Sequence, residues 1–337
     1  MPSRPRLTPE AAQARKAVRE LLSTLKPKRL VLAVSGGADS LALAAATAFE
    51  AKKLSIQLVA AVIDHGLQKG SDQVAKQAAE RLQVLGIDDV VIEKVSVKKS
   101  GDGLEAAARD ARYQALEKIR KAKKAEWILL GHNLDDQAET VLLGLARGSG
   151  LRSIAGMSKI DQERKLLRPL LDISRTDLRK ACSDAGIGFW DDPHNEDSSF
   201  ARVRVRKLAA ELEKNLGPGF AQALSRTAKT AAEADEVIAE LADKLIKKSL
   251  LKSGARQVSY AVPVLAKAKD AVRRKALHII CVSCGAKNVS RSQVLALDEL
   301  ITNWHGQKKS SLSGITVERV ANQLVVKSTK PNKPGAC

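Results

Sequence analysis

No run of the chain approaches the length of a membrane span, and its opening residues, Met1-Pro2-Ser3-Arg4-Pro5-Arg6, contain no apolar signal core. These absences argue against a spanning helix and a secretory leader, and the cytoplasm is the expected compartment. Cysteine is scarce: four residues, unevenly spaced, make no disulfide framework. Aromatic residues are only 3% of the total, so no stacking platform for single strands is advertised. Neither G-x-G-x-x-G nor G-x-x-x-x-G-K-S/T occurs, which removes the dinucleotide-fold and Walker routes to a phosphate site. There is no internal repeat.

Positive charge, by contrast, is abundant and unevenly spread. The net charge is +19 over 337 residues, a length that accommodates two domains with their own cores. Residues 1–200 hold 32 Lys and Arg against 27 Asp and Glu, whereas residues 201–337 hold 25 against 11. The C-terminal part is therefore the one expected to grip a phosphate backbone, and a folded RNA held through its phosphates fits the shortage of aromatics.

The most informative segment is Val31-Leu32-Ala33-Val34-Ser35-Gly36-Gly37-Ala38-Asp39-Ser40. An apolar run suited to a buried parallel strand stops at Ser-Gly-Gly, and a helix-forming run begins at Ser40. Gly36 and Gly37 allow a tight turn that brings bare N–H groups to a ligand, and the positive end of the helix favours an anion there. Ser35 and Ser40 add hydroxyls, and Ala38 keeps the loop small. Asp39 is the odd member, because a carboxylate repels a phosphate unless a cation lies between them. The loop predicts pyrophosphate with Mg2+ at Asp39, hence ATP chemistry. The string resembles the PP-loop of the N-type ATP pyrophosphatases, which split ATP into AMP and pyrophosphate.

Around this loop the pattern reads as a leading helix over 9–25 and then alternating strands and helices: strands at 29–34, 57–63, 90–95 and 126–130, helices at 40–52, 71–85, 103–123 and 135–146. Such alternation predicts an α/β fold, a parallel sheet with helices on both faces. Ligands sit off the C-terminal strand ends of such sheets, so loops 35–40, 64–68 and 131–136 should converge. A helix at 174–186 follows. Gly217-Pro218-Gly219 marks a domain boundary, giving a catalytic domain over 1–216 and a mainly helical, basic domain over 217–330. The latter has helices at 219–252, 263–283 and 290–303 and a hairpin at 314–328. The tail, 331–337, is expected to be disordered.

Four further groups carry chemistry. Ile63-Asp64-His65-Gly66-Leu67 lies where a nucleotide base belongs, with a backbone edge at Ile63 and His65 to read it. Gly131-His132-Asn133-Leu134-Asp135-Asp136-Gln137-Ala138-Glu139 places His132, Asp135, Asp136 and Glu139 at the same edge. His132 is suited to proton transfer or to stabilising developing charge; Asp136 to orienting it or holding the metal, although one of the two aspartates can cap the helix. Arg109 and Arg112 share a helix face, either as surface ion-pair partners or as neutralisers of phosphate charge. Trp190-Asp191-Asp192 and the alternation Arg202-Val203-Arg204-Val205-Arg206 form the last unit, a solvated strand edge or a phosphate-contacting ribbon.

As a set, these motifs resemble the bacterial tRNA(Ile)-lysidine synthases. The matching residues are Ser35–Ser40, Asp64-His65-Gly66-Leu67, Glu105-x-x-x-Arg109-x-x-Arg112-Tyr113, Gly131-His132-Asn133-x-Asp135-Asp136-x-x-Glu139-Thr140, Arg147-Gly148-Ser149-Gly150-Leu151 with Gly156-Met157, Arg168-Pro169-Leu170-Leu171 and Asp192-Pro193-x-Asn195. The resemblance implies ATP-dependent adenylation of the wobble cytidine of a tRNA(Ile) with a CAU anticodon. Attack by the ε-amine of free L-lysine then yields lysidine. It implies Asp39, Arg109, Arg112, His132 and Asp136 as catalytic residues, and Arg202, Arg204 and Arg206 as RNA contacts. Two rival readings remain at this point: a tRNA 2-thiolation enzyme using Cys281-Val282-Ser283-Cys284, and a catalytically inactive RNA-binding module. The oligomeric state is open, a homodimer included.

Overall fold

The structure is a computed structural model that describes residues 7–64, 66, 70–96, 104–148, 150–192 and 196–329. His65 and the tail past residue 329 lie outside the described residues. Helix α1 (Pro9–Leu25) begins at a cap: the Thr8 hydroxyl accepts the Ala11 N–H at 3.4 Å, and Pro9 occupies the first turn, where no N–H is needed. Then follow β1 (Arg29–Val34), α2 (Ala38–Lys53), β2 (Gln57–Asp64), α3 (Ser71–Val84), β3 (Val90–Lys94), α4 (Leu104–Ala122), β4 (Trp127–Leu129) and α5 (Leu134–Ala146). A short α6 (Leu151–Ile154) precedes β5 (Ile160–Asp161), β6 (Leu166–Leu167), α7 (Arg175–Asp184), α8 (Ala201–Leu216) and α9 (Phe220–Ser249). The chain ends with β7 (Leu250–Ser253), β8 (Gln257–Ala261), α10 (Val262–Ala266), α11 (Asp270–Ser283), α12 (Arg291–Thr302), β9 (Ser310–Leu312), β10 (Ile315–Val320) and β11 (Gln323–Ser328).

The chain divides into two compact units, one of residues 1–146 and 155–228, the other of Arg147–Ile154 and Lys229–Cys337. The division falls inside α9, whereas Gly217-Pro218-Gly219 separates α8 from α9. In the first unit the sheet runs β3-β2-β1-β4-β6-β5, parallel except for the edge strand β5. Period-two alternation buries both faces of β1. Leu30, Leu32 and Val34 face a core with Val18 and Leu22 of α1, Leu41 and Leu43 of α2, Leu82 of α3 and Leu178 of α7. Val31 joins the opposite core, where Leu116 and Ile119 of α4 pack. Since β1 has β2 on one side and β4 on the other, connections leave it in both directions, and a crevice opens at the C-terminal strand ends.

The second unit is not only helical. It holds a five-stranded antiparallel sheet, order β7-β8-β11-β10-β9, of which the expected hairpin is the β10–β11 pair. Its core joins Tyr260, Leu324 and Val326 of the sheet to Leu277 and Ile280 of α11 and Leu297 and Ile301 of α12. Among the described residues no helix is long and apolar enough to cross a membrane.

One charged cluster is built into that unit. Arg273, with its side chain 4% exposed, donates to Asp298 at 2.6 Å, and Arg274 donates to the same carboxylate at 2.8 Å. Burial raises the Asp298 pKa, but the two arginine hydrogen bonds outweigh it and hold the group below its ordinary value. Asp298→Ala takes from Arg273 its buried partner and leaves it the exposed Asp270 carboxylate, at 2.8 Å, and the Ala268 carbonyl, at 2.7 Å, and should cost about 3 kcal/mol in urea unfolding.

Candidate active site

Three loops meet at the crevice, as expected from the strand order. They line a cleft of about 350 Å³ with Ser35, Asp39, Ser40, Ile63, Asp64, Arg112, Gly131, His132, Trp190 and Asp192 among its walls. The loop after β1 is tied together by internal bonds. Ser40 Oγ accepts from the Ser35 N–H and the Ser35 hydroxyl, both at 3.2 Å, and donates to the Gly37 carbonyl at 2.9 Å. Gly37 is the N-cap of α2 and Ala38 its first residue, so the helix begins two residues earlier than expected. Gly36 sits at φ +85°, in the left-handed region that favours glycine. Among the described residues, no backbone–backbone hydrogen bond uses the N–H groups of Gly36, Gly37 or Ala38. They and the positive helix end form a cradle for an anion.

Close approach explains Gly131. A Cβ there would lie 3.1 Å from the Ser40 Cα and 3.2 Å from the Asp39 carbonyl oxygen. Gly131→Ala should force the end of β4 off the loop, costing about 1–3 kcal/mol in denaturant unfolding and weakening ATP use.

Beside the cradle lies a carboxylate cluster organised by Arg175, a residue that no sequence pattern singled out. Its Nε is 3.6 Å from Asp39 Oδ2, and its Nη2 is 3.1 Å from Asp136 Oδ1 and 3.7 Å from Glu139 Oε1. Its backbone N–H donates to Asp135 Oδ2 at 2.8 Å. The two aspartates thus divide their work. Asp135 helps to cap α7, while Asp136 closes a reciprocal cap with Asn133, each backbone N–H reaching the other's side chain at 3.0 Å. Glu139 Oε1 also accepts from Arg206 Nε at 2.7 Å. Among the described residues, two buried carboxylate oxygens of the cluster, Asp39 Oδ1 and Glu139 Oε2, have no hydrogen-bond partner.

The electrostatics follow from burial. Burial pushes Asp39 up to about 6, with Arg175 pulling down and Asp136 pushing up. Burial also raises Glu139, against the opposing hydrogen bond from Arg206. His132 lies well below the usual histidine range, first from burial and then from Arg112, Arg168, Arg109 and Arg202, so it is neutral at pH near 7. Arg109 donates to the Tyr113 hydroxyl at 3.1 Å, and Arg112 Nε is buried without a hydrogen-bond partner among the described residues. The cleft therefore has Arg112 beside a neutral imidazole in its lining, and Asp39 in the same lining connects through Arg175 to the carboxylate cluster behind it.

The arginine alternation is helical, not extended. Residues 202–206 lie in α8, so Arg202 and Arg206 share a side at i and i+4 while Arg204 does not. Arg206 reaches Glu139, Arg202 acts electrostatically on His132, and Arg204 ties back to the carbonyls of Ser198 and Ser199 at 2.8 and 2.7 Å. Ile63 lines the cleft from the end of β2.

Residues 10–212 match the PP-loop domain family, and residues 261–325 match the TilS substrate binding domain. A tRNA(Ile)-lysidine synthase of Leifsonia xyli subsp. xyli is 46% identical, with 88% of this chain and 89% of that protein covered. Another, from Rhodococcus erythropolis, is 44% identical with 92% of each covered. The chain belongs to the tRNA(Ile)-lysidine synthase family. It is thus a ligase-type PP-loop enzyme that uses ATP. In fold, the chain is similar to the U34-tRNA thiolase NcsA from Methanococcus maripaludis, solved with its [4Fe-4S] cluster. The TM-score is 0.56 at 20% identity, covering 66% of this chain and 80% of that one.

The Cys-x-x-Cys pair of this family member lies in the core of the second unit, with Cys281 2% and Cys284 1% exposed. Burial pushes the Cys281 thiol up to about 12, which disfavours a reactive thiolate there. Replacing both by Ser should leave tRNA-dependent pyrophosphate release intact.

Proposed function

We propose that the protein joins L-lysine to the wobble cytidine of a CAU-anticodon tRNA(Ile), in the cytoplasm, in two steps that share the cleft. In the first, O2 of the cytidine attacks the α-phosphorus of ATP and pyrophosphate leaves. The N–H groups of Gly36, Gly37 and Ala38, with the Ser35 hydroxyl, hold the departing phosphates, and Arg109 and Arg112 offset the charge that builds on the α-phosphoryl group. His132, held neutral among arginines, presents a nitrogen to the reacting base without adding charge. Asp39 fits a Mg2+ role, because its buried Oδ1 is unpartnered beside the phosphate cradle. That cation would neutralise pyrophosphate as it forms.

In the second step the lysine ε-amine attacks C2, the C2–O2 bond breaks and AMP departs with that oxygen. An ammonium ion must first lose a proton. Asp136 and Glu139 receive the cationic chain end, and Glu139, raised by burial and carrying a free Oε2, takes the proton. Arg202, Arg204 and Arg206 of α8 are the residues assigned to the RNA backbone in this reading, Arg206 being also the partner of Glu139. The observation that carries the reading is the buried Glu139 Oε2, without a hydrogen-bond partner among the described residues, on the carboxylate cluster that Arg175 ties to Asp39. Incubation with ATP, labelled lysine and tRNA tests it. Label should enter RNA with release of AMP and pyrophosphate; unlabelled RNA, or sulfur entering a base, would sink it.

A further inference from the structure

We infer that residues 189–192 form a positioning strap for the phosphate loop, and that the main-chain N–H of Trp190 is its working group. The inference rests on the reading that ATP phosphates lie against Gly36–Ala38. The Trp190 N–H donates to the Gly36 carbonyl at 3.0 Å, across 154 positions of sequence. A trans peptide carries its C=O and the next N–H on opposite sides. Holding the Gly36 carbonyl therefore turns the Gly37 N–H away from the strap, and among the described residues no backbone group accepts it.

The latch matters because of what it restrains. A peptide between two glycines meets little steric resistance to flipping. Flipped, it would present a carbonyl oxygen to a phosphate in place of a donor. The other loop carbonyl at risk, that of Gly37, is already occupied by the Ser40 hydroxyl at 2.9 Å and the Leu41 N–H at 3.1 Å. Among the described residues, the Gly36 carbonyl has only the Trp190 N–H.

The strap is itself anchored. Asp191 accepts two hydrogen bonds from Arg179 of α7, at 2.6 and 2.9 Å, and the same guanidinium lies 4.6 Å from the centre of the Phe189 ring. Phe189 packs on the core that contains α2 and α7. An exposed ion pair of this kind adds little to stability. Here it sets the height of Trp190 relative to the helix that follows the loop, so its effect should appear in ATP use.

The test measures ATP kinetics of tRNA-dependent pyrophosphate release, alongside tRNA affinity by filter binding, in the full chain. Trp190→Pro removes the N–H, whereas Trp190→Ala removes the indole and keeps it. The proline variant should lose about 100-fold in kcat/KM for ATP, and the alanine variant about tenfold less, with tRNA affinity the same in both. Asp191→Ala should raise KM for ATP about threefold to tenfold, and Asp191→Glu should recover most of that loss. The asparate–arginine arm decides the matter if the proline variant does not fold. Equal losses in the two Trp190 variants, or no KM effect in Asp191→Ala, overturn the strap. A wild-type protein that releases no pyrophosphate with tRNA overturns the underlying ATP reading instead.

Discussion

Asp39→Asn should abolish tRNA-dependent pyrophosphate release, with a loss of about 10³-fold, and yet yield a more stable protein. Both effects come from the same burial. In the folded chain the Asp39 pKa is about 6 against an ordinary 3.8, so between those values the folded state holds a proton that the unfolded state has released. Stability therefore falls as pH rises from about 4 through about 6 and stays lower above that. Asparagine has no proton to lose, and at about pH 8, without Mg2+ or ATP, it should gain up to about 3 kcal/mol. Arg175 keeps Asp136 and Glu139 as partners in the variant, so no guanidinium is stranded. Thermal melts at about pH 8 and about pH 4 check this: the two proteins should differ at the first and converge at the second. A variant less stable at both would mean that Asp39 serves the fold.

Glu139→Gln should split the reaction. Pyrophosphate release should survive far better than lysine transfer, which is expected to fall about 10²–10³-fold. The side chain is almost wholly buried, and its Oε1 is committed to Arg206. Glutamine retains an oxygen for Arg206 and the same volume, but it replaces the free oxygen by an amide group that cannot accept a proton. Separate assays of pyrophosphate and of labelled RNA distinguish the outcomes. Equal losses in both would move Glu139 into the adenylation step and leave the amine without a base.

The first unit was legible because its signals are local. Apolar runs of β1 and β2 bounded by polar loops, and an α1 with an apolar face that includes Val18 and Leu22, announce themselves in short windows. The phosphate loop is legible for the same reason. Arg175 is not: it follows an ordinary Ser174 cap and gains meaning only from Asp39, Asp136 and Glu139, which tertiary packing brings to it. Arg202 to Arg206 misled through period two, since Val203 and Val205 are good strand residues. The helix prevails in α8 because Val203 is buried there and its neighbours at helical spacing reach α5. In the second unit β7 and β8 escaped notice because β7 is short and largely exposed, and β8 ends directly at a helix. Trp190 acts through its backbone, and no side-chain pattern advertises a main-chain donor.

The second compact unit is made from two separate stretches of chain, one of which, Arg147–Ile154, leaves directly from the end of α5. Expression of the catalytic portion by cutting at residue 217, or at 229, would therefore orphan an eight-residue segment tethered to the helix that carries Asp136 and Glu139. A truncated enzyme would report on that exposed stub as much as on missing RNA contacts. Loss of activity on truncation is thus ambiguous in this protein, and point substitutions in the intact chain are the cleaner instrument.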